Sequence, residues 1–112
     1  MKKIEAIIRE EKLEPVRKAL EAERYLGMTV SEVSGRGKEG GLSLQWRAGD
    51  YKVEFLPKVK LEIVVLDEDL SRVIQAILMS ARTGERGDGK IFVMDVVNAI
   101  RIRTGDNGDD AI

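Results

Sequence analysis

Along this chain apolar and polar positions alternate, shift to helical spacing, and alternate again. In KKIEAIIRE, residues 2–10, Ile4, Ala6 and Ile8 share one face, which predicts a first strand. Leu13, Val16 and Leu20 then line one side of a helix, with Pro15 in its first turn, where a missing N–H costs little. Gly27 closes that region, and MTVSEVSG, residues 28–35, reads as a second strand ending at Gly35. The clearest strand comes next, with Val59, Leu61, Ile63 and Val65 alternating against Lys58, Lys60, Glu62 and Val64. Leu70, Val73, Ile74, Ile77, Leu78 and Ala81 form the apolar stripe of a second helix. KIFVMDVV, residues 90–97, is a fourth strand, and IRIR, residues 100–103, is a short extended piece before the polar tail TGDNGDD.

Two βαβ halves of this kind predict an α+β domain, a ferredoxin-like βαββαβ sandwich with both helices on one face of an antiparallel sheet. Ile7 and Val64 fall on the other face. Two apolar residues there point to cover by a second subunit or a ligand, or else to scattered surface aliphatics.

The halves are joined by an unusual stretch. LSLQWRAGDYKVEF, residues 42–55, alternates on both sides of AGD and reads as a two-stranded arm folded at Ala48-Gly49-Asp50. It follows the glycine-rich run GRGKEGG and has no evident core of its own. Long connections of this sort tend to be functional. Trp46, Arg47 and Tyr51 lie near its turn, and an arginine between aromatics is interface chemistry, although a packed hairpin is the plainer reading.

Composition narrows the function. Apolar residues make up 43% and charged residues 35%, which suits one globular domain over residues 1–112. A net charge of −1 gives no bulk attraction to nucleic acid or acidic membrane, so any anion site must be a local cluster of cations. RNA-recognition domains share the βαββαβ order but need aromatic platforms and a basic surface; five aromatics and this charge argue for no nucleic-acid partner. With no cysteine there is no disulfide frame or thiol chemistry, and with no histidine the commonest general base and metal ligand are missing. The expectation is a protein that is not an enzyme, with a slow phosphohydrolase as the enzymatic alternative. No apolar run approaches the ~20 residues of a membrane span, and MKKIEAIIREEK is not a signal peptide, so a soluble cytoplasmic protein is expected.

Two stretches carry candidate chemistry. TGERGDGK, residues 83–90, sets three glycines within six residues before Lys90. Glycines let backbone N–H groups approach an anion closely, so this is a phosphate cradle or simply a glycine-rich turn. It is not a P-loop, because a strand follows and the GKS/T ending is absent. Arg101 and Arg103 fall on one side of the extended IRIR piece, where two guanidinium forks can clasp a polyphosphate or merely face solvent. With Lys90 they supply the cations for a triphosphate, if the fold or a neighbouring subunit gathers them.

The run T-x-x-x-G-D-G-K-I-F-V (83–93), together with MKKIEAII, GMTVSEV, FLPKVK, ARTG and IRIRTG, resembles the PII nitrogen-regulatory signalling proteins over essentially the whole chain. The resemblance implies a homotrimer of ferredoxin-like subunits. Each would carry a long T-loop between strands two and three (about 37–55), a phosphate-binding loop (about 82–90) and a C-terminal loop (about 98–112). ATP and ADP would compete for clefts between subunits, with 2-oxoglutarate joining Mg-ATP at the T-loop base. The T-loop would then regulate an ammonium transporter, as in the transporter-regulating branch of the family, or nitrogen-assimilation enzymes such as glutamine synthetase. Docking on a transporter would make the protein peripherally membrane-associated. A regulator with little or no 2-oxoglutarate response is the alternative within the same family.

Residue by residue, Ile7, Thr29, Gly35 and Val64 match positions around the adenine, and Glu62 one near the sugar and base. Gly87, Asp88, Gly89 and Lys90 match the phosphate-binding loop. Arg101 and Arg103 match arginines that reach the phosphates from the neighbouring subunit. Gly37 and Lys58 match contacts around 2-oxoglutarate, Lys58 with its distal carboxylate. Arg47 matches the tip residue that enters a transporter pore, and Tyr51 the tyrosine uridylylated in some bacteria; Trp46 lies beside them. Three departures stand out. WRAGDY replaces the usual modification signature, Gly49 replaces a serine phosphorylated in some relatives, and Glu39 replaces a glutamine that helps hold Mg2+. A carboxylate at 39 is a good hard ligand for Mg2+ but repels an incoming dianion.

Overall fold

The computed structural model describes residues 1–37 and 55–112, together with the backbone of 42–46 and 49–53. The elements run β1 (Lys2–Ile8), α1 (Leu13–Ala22), β2 (Thr29–Gly35), β3 (Leu42–Trp46), β4 (Gly49–Val53), β5 (Leu56–Val65), α2 (Leu70–Ala81) and β6 (Lys90–Asp95). Four of the strands form one antiparallel sheet in the order β2-β5-β1-β6, while β3 and β4 pair only with each other. The α+β sandwich expected from the alternation is therefore present.

The core is made by the positions whose periodicity defined the elements. Ile4, Ala6 and Ile8 from β1, and Val59, Leu61, Ile63 and Val65 from β5, meet Val16 and Leu20 of α1 and Val73, Ile77 and Ala81 of α2. All are buried and none is polar. Each large aliphatic side chain sealed this way contributes about 1.5–3 kcal/mol relative to exposure. α1 stops where Arg24 takes a left-handed backbone (φ 68). Its N–H donates to the Glu21 carbonyl and that of Tyr25 to the Leu20 carbonyl, the two bonds of a Schellman cap. The Tyr25 hydroxyl donates to Asp69 and accepts from the Leu66 N–H, tying that cap to the entrance of α2.

On the opposite face the register sets out rows of side chains. Glu62 lies opposite both Thr29 and Glu5, Glu5 opposite Phe92, Ile7 opposite both Lys60 and Lys90, and Val64 opposite Lys3. No helix covers this face, and Phe92 and Met94 are exposed on it.

Four boundaries differ from the expectation. β1 ends at Ile8 rather than Glu10, because Arg9 turns the chain into a 3-10 turn over Glu10–Lys12. β6 ends at Asp95 rather than Val97; the Val96 N–H donates to the Met1 carbonyl and Val97 is fully exposed. The arm's expected fold at Ala48-Gly49-Asp50 is corrected at two of its residues: Gly49 and Asp50 belong to β4, paired with Trp46 and Gln45, while Ala48 lies outside the described residues. IRIR is not an extended segment either. Ile100 makes an isolated bridge to Asn107, and the Gly105 N–H donates to the Arg101 carbonyl at 2.7 Å, closing a tight turn. Gly105 at φ 77, and Thr104 and Asp106 bonded to one another, hold that turn.

Candidate functional site

A cleft of about 650 Å³ opens where the ends of β1, β2 and β5 meet the loop between α2 and β6. Ile7, Gly35, Gly37, Lys58, Gly87, Asp88, Gly89 and Lys90 all line it, so eight of the positions singled out from sequence converge on one place. Arg36, Lys60, Glu85 and Phe92 complete much of the wall. The Arg36 guanidinium stands 5.6 Å from the centre of the Phe55 ring, a cation–π distance at the base of the arm.

The loop owes its shape to glycine. Gly84, Gly87 and Gly89 have φ of 90°, 95° and 96°, a region closed to most side chains. At Gly89 the demand is doubled, since a Cβ there would lie 1.6 Å from the Ile7 carbonyl oxygen. The loop thus rests directly on the end of β1.

Asp88 acts inside the loop. Its carboxylate accepts from the backbone N–H groups of Thr83 and Gly84, both at 2.9 Å, from the Thr83 hydroxyl, and from Arg9 Nε at 3.0 Å. The Thr83 hydroxyl above all, then the Thr83 and Gly84 amides and the Arg9 guanidinium, hold this carboxyl well below the usual carboxylate range despite some desolvation. Arg9 Nη2 also donates to the Arg86 carbonyl at 2.5 Å, and the Lys58 ammonium donates to the Gly87 carbonyl. Burial first, then the neighbouring Arg9 charge, pull Lys58 below the ordinary lysine range, while Glu11 and Asp88 oppose them. Two cations pressed together against loop carbonyls are a costly arrangement that an incoming anion relieves. Since Arg9 and Asp88 neutralise one another, the remaining cations lining the cleft are Arg36, Lys58, Lys60 and Lys90, with Lys60 shared with Glu62 at 3.3 Å.

Among the described residues, the other candidates do not line this cleft. Thr29 and Glu62 face each other one row further along the open sheet face, and Val64 lies a row beyond. At about 3.3 Å of rise per residue, Val64 is roughly 13 Å along the strand from Lys60. It lines a second cleft of about 610 Å³ with Tyr25, Leu26, Gly27 and Leu66. Arg101 pairs with Asp106 at 3.4 Å and Arg103 is exposed in the adjoining turn; neither lines the first cleft. Glu39 and Arg47, and the side chains of Trp46 and Tyr51, lie outside the described residues. Among the described residues no group of three or more acidic side chains gathers to hold a metal ion.

Arg9 and Thr83 escaped the sequence reading. Thr83 had a usable signal, since it opens the motif and its hydroxyl lies five residues before a carboxylate. Arg9 had none, as its partners are 77 and 79 residues away.

The family model described as Nitrogen regulatory protein P-II matches residues 1–106. The chain belongs to the P-II nitrogen regulatory protein family. It is 59% identical to Nitrogen regulatory protein P-II 1 of Methanothermobacter thermautotrophicus over 112 residues, covering all of this chain and 97% of the relative. It is 54% identical to Nitrogen regulatory protein P-II of Pasteurella multocida over the full length of both. Among the described residues of this P-II chain no helix is long and apolar enough to cross a membrane.

Proposed function

We propose that this P-II chain is a nucleotide-reading subunit of a cytoplasmic homotrimer. ATP and ADP compete for a cleft shared by neighbouring subunits, and Mg2+ with 2-oxoglutarate joins ATP at the base of the arm near Gly37, Glu39 and Lys58. The T-loop, through Trp46, Arg47 and Tyr51, then acts on an ammonium transporter or on enzymes of nitrogen assimilation. Docking on a transporter brings the protein to the membrane surface. The chain acts as a regulator and not as an enzyme.

One observation carries this reading: the candidate residues divide into two sets at different positions on one chain. The glycine loop and three lysines form an anion site bordered on one side by Ile7, Val33 and Phe92. Thr29, Glu62 and Val64, with the exposed Arg103, offer side chains that lack a phosphate cradle. Two incomplete halves on one chain make a complete site when copies meet. The uncovered sheet face, with Phe92 and Met94 exposed, supplies apolar surface for that meeting. The donor set suits the ligand, because fixed lysines and glycine-exposed amides recognise phosphate by charge and shape.

The test combines native mass spectrometry with calorimetric titration of ATP and ADP, each with and without Mg2+ and 2-oxoglutarate. A trimer binding one nucleotide per subunit is expected. A folded monomer indifferent to adenine nucleotides would overturn the proposal, and capture of a transporter that ignores all three ligands would overturn its regulatory half.

A further inference from the structure

We infer that Arg9 is a positioning residue for the phosphate loop, acting through Asp88 and the Arg86 carbonyl rather than on the ligand. The inference rests on the nucleotide reading above and assigns a role within it. Arg9 follows the last residue of β1, where the backbone stays extended (φ −64, ψ 144) before the 3-10 turn. That places its guanidinium under the loop. Nε donates to Asp88 Oδ1 at 3.0 Å and Nη2 to the Arg86 carbonyl at 2.5 Å. The end of β1 therefore fixes the loop twice, through Arg9 just beyond it and through the Ile7 carbonyl, which packs against Gly89 so closely that a Cβ would not fit.

The geometry requires the planar fork. One guanidinium spans a carboxylate and a carbonyl two residues apart, and an ammonium cannot reach both with the same directions. The Arg9 side chain is 23% exposed and its donors Nε and Nη2 point into the loop, so little of its charge is presented to a phosphate. Asp88 is likewise occupied by four donors. Together they form a neutral brace that sets the direction of the loop amides.

Arg9→Lys tests this, because it keeps the charge and removes the fork. Calorimetric titration with Mg-ATP is made on the wild-type chain, Arg9→Lys, Asp88→Asn and the double variant. Arg9→Lys is expected to weaken binding about tenfold, the size of one lost charge-assisted hydrogen bond. The double variant is expected to lose clearly less than the product of the two single losses, since both remove one brace. Unchanged affinity in Arg9→Lys, or multiplicative losses in the double variant, would overturn the inference. A wild-type chain that binds no ATP would instead sink the nucleotide reading. The brace is then still tested by hydrogen exchange of the free protein: faster exchange of the amides of residues 83–89 in Arg9→Lys supports it, and unchanged exchange refutes it.

Discussion

Replacing Gly89 by alanine places a Cβ 1.6 Å from the Ile7 carbonyl oxygen and 2.7 Å from its carbon, on a backbone at φ 96. Two costs follow. A left-handed backbone costs an L-residue about 1–2 kcal/mol. The collision cannot be relieved by rotating a side chain, because the obstacle is backbone. The loop must lift off β1, disturbing the Ile7–Lys90 pairing that opens β6, and forced overpacking of this sort costs about 1–3 kcal/mol more. Gly84→Ala supplies the internal control. Its φ is 90 and nothing lies within 4 Å of the added Cβ, so it carries the conformational cost alone.

Urea denaturation of both variants at one subunit concentration isolates the difference, provided the denaturant slope is unchanged. Gly89→Ala is expected to lose about 1–3 kcal/mol more than Gly84→Ala. Nucleotide affinity should fall further in Gly89→Ala too, since lifting the loop moves its amides away from Lys58. Equal losses in the two variants, within about 0.5 kcal/mol, would show that the loop does not press on β1 as described.

Asp88→Asn should alter the acid limb of stability. A carboxyl held low in the folded state contributes stability above its unfolded pKa of ~3.9 and loses it as pH falls toward the folded value. The gap between wild type and variant should be full at neutral pH and narrow below about pH 4; a gap of constant size down to pH 3 would contradict the network. Lys90→Ala and Arg103→Ala should each abolish tight ATP binding, yet trimers mixed from the two variants should regain some, because one interface then combines two intact halves; no recovery in the mixture refutes the shared site. Glu39→Gln should tighten 2-oxoglutarate binding with Mg-ATP binding retained, since like charges at ~4 Å repel by roughly 4 kcal/mol at an effective dielectric near 20 before the metal screens them. Calorimetry showing no gain would dispose of that argument.

What could be read from the sequence was whatever local periodicity or local chemistry encodes. The alternation of Val59, Leu61, Ile63 and Val65 and the stripe from Leu70 to Ala81 report burial within a few residues, and all four of those strand positions are buried. The glycines of TGERGDGK were legible as a tight loop for a similar reason, and Gly84, Gly87 and Gly89 do take positive φ. The misses share a cause of the opposite kind. Arg9 reads as one more residue of an alternating strand until its partners near Asp88 are known, and those are brought together only by the fold. Ile100 to Arg103 alternate like a strand, but the hydrogen bonds of Thr104, Gly105 and Asp106 outcompete extension. The arm's register was missed by the same logic, since Gly49 looks like a turn residue and instead faces Trp46.

A site shared between copies, as proposed, has a physical consequence for signalling. A ligand held wholly within one subunit can stabilise that subunit without altering how subunits meet. A ligand that rests on residues of two copies adds its binding energy to the contact between them. The cation-rich cleft also begins where β2 ends at Gly35 and β5 begins at Leu56, which are the two ends of the arm, and Gly35 is paired with Leu56. Any anion that draws Lys58 away from the Gly87 carbonyl therefore acts two residues from the root of the arm on β5. A coupling of only ~1–3 kcal/mol suffices to change which arm pose dominates, and the relief of two crowded cations is of a kind to supply it. On the proposed reading, a nucleotide that left the Lys58–Gly87 contact intact would bind without moving the arm, so the spectroscopic signature of that one hydrogen bond would separate a ligand that signals from one that merely occupies the cleft.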